Sequence, residues 1–286
     1  MKKIKLLPPV LALLCAGMFV GYQAWDRINT DNKAPEITVG EEIIRLSVSE
    51  PHSALLQGVT AMDNRDGDVS DTMVVESVKA LDSEGTMEVT FAAFDQAGNV
   101  SKASRTIRYT DYEPPRFSLE RALVYPHNSS FNLLDDINAT DALDGDLNSR
   151  IHAMSLDENS VSTLGDHQVE FRVTNSLGDT TRIALPVTVY ANPNAALTIS
   201  LTDYLIYLPK GSSFNADDYL KEVALVNNAY TLQDLPDNFS LRISDDVNTA
   251  IPGVYSVDYE VTYAKTSEGG IVYITTPTRL IVVVEE

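Results

Sequence analysis

The chain has 286 residues with 41 acidic and 21 basic side chains, which gives a formal net charge of −20 at pH 7. This length exceeds that of one small domain and is typical of two or three. The acidic charge argues against a nucleic-acid partner, because phosphate groups attract clustered lysine and arginine side chains. The single cysteine, Cys15, excludes a disulfide bond within the chain and a cysteine zinc site.

The N-terminus combines a lysine cluster with a long uncharged run. Lys2, Lys3 and Lys5 precede the run, which extends from Leu6 to Trp25. Twenty residues at about 1.5 Å each span roughly 30 Å, the thickness of a bilayer core. Lysines on one side indicate the cytoplasmic end. The segment therefore predicts a cytoplasmic tail and one transmembrane helix within residues 1–30, with the rest of the chain outside the cell membrane.

Two alternatives for this segment remain open. A cleavable signal peptide, which would release a secreted protein, requires small residues at the −3 and −1 positions of its cleavage site. No Ala-x-Ala pattern follows the apolar run. Lipidation of Cys15 requires a small residue before it, and Leu14 stands there. The uncleaved anchor is favoured over cleavage, and cleavage over lipidation.

Two similar linkers open two similar modules. Residues 30–35 and 110–115 both begin with Thr-Asp and end with proline, at an offset of 80 residues (110 − 30). The proline keeps each linker extended before a short predicted strand, at 36–39 in the first module and at 116–119 in the second.

Later in each module an alternating strand predicts one apolar face. A glycine-containing turn follows at 95–99 and 175–179, and then a predicted closing strand at 103–109 and 183–190. Period-two strands separated by turn signals predict an all-β sandwich. The residues on the apolar face are Met87, Val89, Phe91 and Ala93 in the first module and Val169, Phe171 and Val173 in the second.

An acidic six-residue loop occurs in both modules. It reads Asp-Asn-Arg-Asp-Gly-Asp at 63–68 and Asp-Ala-Leu-Asp-Gly-Asp at 141–146. Gly67 and Gly145 permit a positive φ, and aspartate side chains cap turns, so the pattern predicts a tight loop.

These motifs together resemble those of the bacterial immunoglobulin-like repeats of surface proteins. The shared motifs are Pro-x-Ile, Ala-x-Asp-x-x-Asp-Gly-Asp, Gly-x-x-x-Val-x-Phe and Phe-Asp-x-Ala-Gly-Asn. The first module, 31–110, contains the full set. The second, 111–194, has Asn175 and Asp179 where the first has Asp95 and Asn99. The resemblance implies tandem immunoglobulin-like β-sandwiches in a row and a cell-surface role.

A divergent third module is predicted at 195–286. Gly253 enters an alternating strand rich in tyrosine and valine, and a closing strand is predicted at 278–284. The acidic loop is absent, and its place falls near 223–230. A long segment before the central strands, 227–239, is predicted to carry partner recognition, because binding residues concentrate on long loops. The residues chosen for that role are Tyr230, Leu232 and Leu235.

The carboxylates of the repeated modules are candidate Ca²⁺ ligands. In an immunoglobulin-like sandwich the acidic loop, the last hairpin and the entering linker lie at the same end. Oxygen ligands in this number suit calcium, which is expected to stiffen both linkers, the second more strongly. The alternative is that the first aspartate of each loop makes an Asx turn and the others are solvated. The candidates are Asp63, Asp66, Asp68 and Asp95, near Asp31, and Asp111, Glu113, Asp141, Asp144, Asp146 and Asp179, near Asn175.

No catalytic motif is present in the sequence. It contains no Gly-x-Ser-x-Gly, His-Glu-x-x-His or phosphate-binding glycine loop, and its four histidines are scattered. We therefore expect a non-catalytic, membrane-anchored bacterial surface protein whose third module binds a protein or glycan partner in adhesion or ligand binding. The alternatives are a structural spacer or scaffold of an envelope assembly, and a carbohydrate-binding accessory to a separate hydrolase.

Overall fold

The computed structural model describes residues 7–82, 84–157, 161–191, 196–226 and 228–286, with side chains described for 11–25 and within those ranges from residue 30 onward. An N-terminal helix precedes three sandwich-like modules of β-strands. The chain divides into two compact units, Met1–Tyr112 and Glu113–Glu286. The first unit contains the helix and the first module, and the second contains the other two modules.

Helix α1 (Leu7–Asn29) forms where the transmembrane helix is predicted. Across the part of the chain that is described, however, no helix is both long and apolar enough to cross a membrane. The prediction of a membrane span from Leu6 to Trp25 is therefore wrong. Leu6 and the lysines before it lie outside the described residues. Within the rest of the run the prediction counted uncharged residues, and Pro8, Pro9 and Gln23 are uncharged without being apolar.

The first module consists of a smaller sheet in the order β1-β3-β4 and a larger one in the order β2-β7-β6-β5. The chain changes sheets after its first strand, and β2 pairs parallel to β7 while the other neighbours are antiparallel. The predicted strand at 36–39 is confirmed. The strands are β1 (Glu36–Val39), β2 (Ile43–Leu46), β3 (Val59–Asp63), β4 (Gly67–Asp68), β5 (Val74–Ala80), β6 (Thr86–Phe94) and β7 (Val100–Tyr109).

The second module repeats this topology. Its smaller sheet has the order β11-β10-β8 and its larger one the order β12-β13-β14-β9, with β9 parallel to β14. The predicted strand at 116–119 is confirmed, and the closing strand begins three residues earlier than predicted (183 − 180). The strands are β8 (Arg116–Leu119), β9 (Val124–Pro126), β10 (Ile137–Asp141), β11 (Gly145–Asp146), β12 (His152–Ser155), β13 (Gly165–Thr174) and β14 (Thr180–Tyr190).

The third module has the same strand order despite its divergent sequence. Its sheets run β15-β17-β18 and β16-β21-β20-β19, and β16 is parallel to β21. Its closing strand is longer than predicted, because β20 and β21 stay paired as far as Ser267 and Gly270. The strands are β15 (Leu197–Leu201), β16 (Leu205–Pro209), β17 (Leu220–Leu225), β18 (Asn228–Tyr230), β19 (Phe239–Asp245), β20 (Gly253–Ser267) and β21 (Gly270–Glu285).

Alternation along the central strands builds each core. Side chains point to opposite faces in turn along a strand, so every second residue faces the core. The four predicted core residues of β6 have no exposed surface, and the three predicted on β13 have 1% or less. In β20, Tyr259 is fully buried and its hydroxyl donates to the carbonyl oxygen of Ala216 at 2.6 Å. Burial raises the pKa of that hydroxyl.

Short 3-10 helices connect the strands. They are His52–Leu56, Ser70–Thr72, Leu133–Asp135, Asn148–Arg150, Ala216–Tyr219 and Leu232–Asp234. The first of them is held by the buried side chain of Arg105, whose guanidinium donates to the carbonyl oxygens of Leu55 and, at 2.7 Å, of Gln57. A charged side chain of β7 thus fixes a loop of the first module.

The second and third modules share a hydrophobic core. Leu205 and Ile281 of the third module are buried among the core residues of the second, and Tyr204, Tyr207 and Val283 pack against the same cluster. Continuous burial of this kind fixes one module against the other, since separating them would expose these apolar side chains to water.

Polar contacts reinforce this packing at the edge of β8. The hydroxyl of Tyr207 accepts from the backbone N–H of Phe117 at 3.2 Å and donates to its carbonyl oxygen at 3.1 Å. Arg116 lies over the Tyr207 ring, with its guanidinium carbon 4.9 Å from the centroid, and forms an ion pair with Glu285. The tyrosine hydroxyl therefore satisfies backbone groups of β8 on the edge that faces no other strand of its sheet.

The contact between these modules runs along the length of β14. Ala184 and Pro186 share a groove with Val254 of the third module, and Tyr190 shares another with Pro277. Between the two grooves, Arg279 donates to the hydroxyl of Thr188 at 2.9 Å. The two modules therefore pack side by side rather than end to end.

Candidate metal centre

Three segments of the first module meet at one end of its sandwich. They are the linker around Asp31, the acidic loop that joins β3 to β4, and the turn that joins β6 to β7. Asp63 is the last residue of β3, and Asp95 follows the last residue of β6. The ends of two strands thus position two of the candidate carboxylates.

The acidic loop is closed by its own first side chain. Oδ1 of Asp63 accepts from the backbone N–H groups of Arg65 at 2.7 Å and Asp66 at 2.9 Å, which makes an Asx turn. Gly67 supplies the positive φ, +77°, that returns the chain to β4. The N–H groups of Asp66 and Arg65 also hold the pKa of Asp63 below its usual value.

The β6–β7 turn is linked to the entering linker through Asn99. Oδ1 of Asp95 accepts from the backbone N–H of Asn99, and Oδ2 accepts from its side-chain amide, both at 2.7 Å. The same amide nitrogen lies 3.1 Å from the carbonyl oxygen of Asp31 and 3.2 Å from that of Lys33. The linker is therefore held against the turn.

One carboxylate oxygen from each of Asp31, Asp63 and Asp95 lies within 4.8 Å of the other two. Asp63 and Asp95 are 8% and 7% exposed, and the side chain of Asp31 is 9% exposed. The Oδ2 atoms of Asp31 and Asp63 are buried and have no hydrogen-bond partner among the described residues. Nε of Arg65 lies 3.8 Å from Oδ2 of Asp31. We refer to Asp31, Asp63 and Asp95 as the carboxylate triad.

The other two candidates of the first loop lie outside the triad. Oδ2 of Asp66 accepts from the backbone N–H of Gln96 at 2.8 Å and so ties the loop to the turn. Oδ1 of Asp68 accepts from the N–H of Ser70 at 3.0 Å, and the hydrogen bonds from Ser70 lower the pKa of Asp68. Both have structural partners.

The second module builds the same loop with different partners. Oδ1 of Asp141 accepts from the N–H groups of Leu143 at 3.0 Å and Asp144 at 2.6 Å. Oδ2 of Asp141 accepts from the side-chain amide of Asn175 at 2.9 Å. Asn175 is buried and stands where Asp95 stands in the first module (175 − 95 = 80). An amide thus donates a hydrogen bond to the Asp141 oxygen that corresponds to the buried Oδ2 of Asp63.

Both carboxylate oxygens of Asp144 also accept hydrogen bonds from other residues of the second module. Its Oδ2 accepts from the N–H of Ser176 at 2.7 Å and from Nη1 of Arg150 at 2.6 Å, and its Oδ1 accepts from the Ser176 hydroxyl at 2.6 Å. Partial burial raises the pKa of Asp144, but the hydrogen bonds from Ser176 and Arg150 outweigh it and leave the pKa lowered.

The remaining predicted ligands do not belong to the carboxylate triad. Oδ1 of Asp146 accepts from the N–H of Asn148, and the N–H of Asp179 donates to Asn175. Asp111 belongs to the first unit, where it accepts from the Ser47 hydroxyl and the N–H of Val48, and these hydrogen bonds lower its pKa. Glu113 is exposed. Of the described residues, those of the second module form no comparable carboxylate group.

The predicted recognition segment of the third module is largely part of its core. Tyr230 and Leu235 pack against the core cluster, and the Tyr230 ring lies 5.4 Å from that of Phe239. Leu232 is exposed. The segment at 227–239 includes residue 227, which lies outside the described residues. Replacing Tyr230 or Leu235 would therefore affect packing as well as recognition.

An apolar surface that the sequence analysis did not predict is exposed at the end of the β20–β21 hairpin. Ile271, Val272 and Tyr273 are 60%, 49% and 65% exposed. The signal that would have found it is the run of consecutive apolar residues at 271–274, which departs from the alternation of a half-buried strand. We refer to Ile271, Val272 and Tyr273 as the hairpin tip.

Comparisons with known proteins give a weak and partial homology. No family model matches the chain. Over 127 residues it is 35% identical to the pesticidal crystal protein Cry22Aa of Bacillus thuringiensis, which covers 44% of this chain and 16% of that protein. Over 101 residues it is 34% identical to an uncharacterized 81.3 kDa protein of Acholeplasma phage L2, covering 35% and 13%. The chain thus corresponds to a small part of either relative.

The similar solved structures are those of tandem-domain proteins, and their TM-scores are low. A protocadherin gammaB7 structure has a TM-score of 0.21 at 12% identity and covers 88% of this chain and 74% of that one. The CBM51-2 and INT domains of Clostridium perfringens ZmpB have a TM-score of 0.23 at 15% identity and cover 87% and 41%. The assignment of tandem β-sandwich modules rests on the strand pairing of the chain itself.

Proposed function

We propose that the chain is a non-catalytic binding protein that works outside the cytoplasm and presents its third module to a protein partner. The observation that carries this proposal is the hairpin tip, an exposed apolar surface on a β-ribbon that extends beyond its sheet. Exposed apolar surface costs solubility, and in a soluble module it marks a site of interaction.

The geometry of the ribbon supports a binding role. β19 pairs with β20 only as far as Phe239 and Tyr263, and β16 pairs with β21 only from Ile281 onward. β20 and β21 continue together to Ser267 and Gly270. Beyond Ala264, whose N–H donates to Asn238, no third strand of the described chain pairs with the end of the hairpin, so its edges can accept an extended segment of a partner by β-augmentation.

The base of the ribbon is rigid. Leu205 and Ile281 bury the third module against the core of the second, and Tyr207 ties it to the edge of β8. A surface held in one orientation loses less conformational freedom on binding than a mobile one does. The pair of modules thus provides a fixed mount for the hairpin tip.

The chemistry of the tip favours a protein over a glycan. Ile271 and Val272 are branched aliphatic side chains, which match apolar side chains of a protein, and Tyr273 is the single aromatic residue of the tip. Side-by-side packing also counts against a simple spacer, because it adds width rather than length to the second unit. A carbohydrate-binding accessory role remains a prediction and is the glycan outcome of the test below.

The test compares two triple variants of the full-length chain. Ile271, Val272 and Tyr273 are changed to serine in one, and the exposed apolar residues Met154, Leu156 and Leu164 of the second module in the other. The partner captured from an envelope extract is identified, and its affinity is then measured with purified protein.

We expect the hairpin variant to lose at least tenfold in affinity while the second-module variant binds normally. Equal binding by both variants contradicts the proposal, as does specific glycan binding on an array that the hairpin variant retains. N-terminal sequencing and fractionation of the mature protein test its location, and recovery from the cytoplasm contradicts an outside role.

A further inference from the structure

We propose that the carboxylate triad of the first module, Asp31, Asp63 and Asp95, binds a divalent cation, and that Ca²⁺ is the ion that fits it. One carboxylate oxygen from each residue of the triad lies within 4.8 Å of the other two. Two buried oxygens, Oδ2 of Asp31 and Oδ2 of Asp63, have no hydrogen-bond partner in the described part of the chain. This inference concerns the linker end of the first module and is independent of the hairpin tip.

A cation explains the burial of these groups. Taking a carboxylate out of water is unfavourable unless it is paired, hydrogen-bonded or bound to a metal. Asp63 is more than nine-tenths buried, and its Oδ1 is already used by the Asx turn, which leaves Oδ2 as the buried oxygen that lacks a donor among the described residues. An ion at that point supplies the missing partner for Asp63 and Asp31 together.

Arg65 does not replace the cation. It brings one positive charge against three negative ones, and its Nε lies 3.8 Å from Oδ2 of Asp31, beyond hydrogen-bond distance. Its side chain is also 41% exposed, so water screens the attraction. Arg65 therefore reduces the repulsion within the triad without removing it.

The donors and their spacing favour calcium. The triad offers carboxylate oxygens, the ligands that Ca²⁺ and Mg²⁺ prefer over the nitrogen and sulfur ligands of zinc. Oxygens on opposite sides of a calcium ion, at about 2.4 Å each, lie about 4.8 Å apart, whereas those around magnesium lie about 4.2 Å apart at most. The 4.8 Å bound on the triad oxygens accommodates calcium, and magnesium, which usually keeps several of its water ligands, is less suited to a site of three protein carboxylates.

Binding would clamp the linker to the module. Asp31 lies in the linker, Asp63 at the end of β3 and Asp95 in the β6–β7 turn. Asn99 already connects the linker and the turn, and a shared ion adds the acidic loop to this connection. The conformation of the linker that enters the first module would then depend on the calcium concentration.

The test uses the full-length chain, calcium chloride as the only added ligand, and a chelator as the reference state. With a Kd of about 10⁻⁴–10⁻³ M, typical of extracellular modules, 2 mM calcium multiplies the folding equilibrium constant about 3- to 20-fold. We expect a calorimetric binding signal in that range and a higher melting temperature of the first module. Absence of both at ten times the upper Kd overturns the proposal.

Asp95→Asn is the decisive variant. An amide at this position can donate to Asp63 as Asn175 donates to Asp141. It gives up the bond from the Asn99 side chain, but that amide keeps its bonds to the carbonyl oxygens of Asp31 and Lys33, so the variant should stay folded in chelator and lose the calcium response. Asp141→Asn is the matched control in the second module and should keep the response. A response that survives Asp95→Asn, or that Asp141→Asn abolishes, overturns the proposal.

Arg65→Leu tests whether a cation or the arginine itself neutralises the triad. Removing the arginine removes a competing positive charge, so calcium should bind the variant more tightly than the unmodified chain. If Arg65 alone neutralises the triad, the variant instead loses stability and gains no calcium affinity, which also overturns the proposal.

Discussion

The acidic loops of the first and second modules have the same backbone and different electrostatics. Asp63 and Asp141 make the same Asx turn with Oδ1. Gly67 and Gly145 follow with φ values of +77° and +70°. Each loop is also tied to its neighbouring turn, through the carboxylates of Asp66 and Asp144. The repeated motif thus specifies a fold.

The residues that decide the charge lie largely outside the motif. In the first module Asp95 faces Asp63, and two oxygens of the triad have no hydrogen-bond partner. In the second module Asn175 donates to Asp141, and Arg150 pairs with Asp144. The difference between Asp95 and Asn175, in a turn separate from the motif, therefore distinguishes a candidate cation site from a loop whose first aspartate is hydrogen-bonded by the protein. The geometry favours the first module for calcium, the reverse of the sequence expectation.

The largest effect that we predict concerns a second charge difference between these modules. Arg105 occupies the buried position of β7 that Leu185 occupies in β14, since the two are 80 residues apart and pair with the equivalent residues Val89 and Val169. Arg105→Leu leaves the carbonyl oxygens of Leu55 and Gln57 without their donor. We expect a loss of about 2–4 kcal/mol in unfolding free energy, measured by urea denaturation.

Arg108→Leu is the control on the same strand. Arg108 is half exposed and forms a surface ion pair with Glu84 at 3.4 Å, so its loss should change stability by less than about 1 kcal/mol. If Arg105→Leu is as mild as this control, the buried arginine does not hold the 3-10 helix, and the first module tolerates a leucine core as the second does.

The next prediction concerns a variant in which a residue of the second module is replaced by its counterpart in the first. Asn175→Asp removes the amide that donates to Asp141 and places two carboxylates side by side in a buried turn. We expect a loss of about 1–3 kcal/mol in chelator, because a hydrogen bond is replaced by repulsion. Hydrogen exchange of the second module in the full chain measures it. Unchanged protection would show that the hydrogen bond from the amide to Asp141 does not stabilise the module.

The sequence was sufficient for the fold because the fold follows local rules. The strands at 36–39 and 116–119 and the buried faces of β6 and β13 follow from proline, glycine and period-two alternation. The glycines of the acidic loops have the predicted positive φ. The third module keeps the same topology because its alternation survives although its loop chemistry is lost.

Other features depend on contacts that no local pattern encodes. The side-by-side packing of the second and third modules rests on Leu205, Ile281 and Tyr207, each of which reads as an ordinary strand residue. Asp111 accepts hydrogen bonds from Ser47 and Val48 of the first unit, a contact that the repeat pattern does not indicate. Side-chain partners are set by tertiary contacts, which the repeat spacing does not determine.

A smaller effect tests whether the two loop backbones are equivalent. Gly67→Ala and Gly145→Ala add a methyl group where nothing lies within 4 Å, so the cost is backbone strain at positive φ, about 1–2 kcal/mol in each module. Gly269→Ala, outside the positive-φ range and equally open, is the control and should be nearly neutral. Thermal melts that show a much larger loss for one loop than for the other would contradict the equivalence.

The smallest effect that we predict appears only in acid and concerns Asp144. Its pKa in the folded protein is below the ordinary value of 3.8, because hydrogen bonds from Ser176 and Arg150 outweigh the opposing effect of burial. A lowered folded pKa means that the unfolded chain binds the proton more readily. The stability contributed by Asp144 is therefore fully present well above pH 3.8 and is lost as the pH falls through the folded pKa. Asp144→Asn should make the melting temperature of the second module less sensitive to pH in this range, and Ser176→Ala should do so partially. An unchanged acid dependence in Asp144→Asn would mean that other carboxylates dominate the acid unfolding of this module.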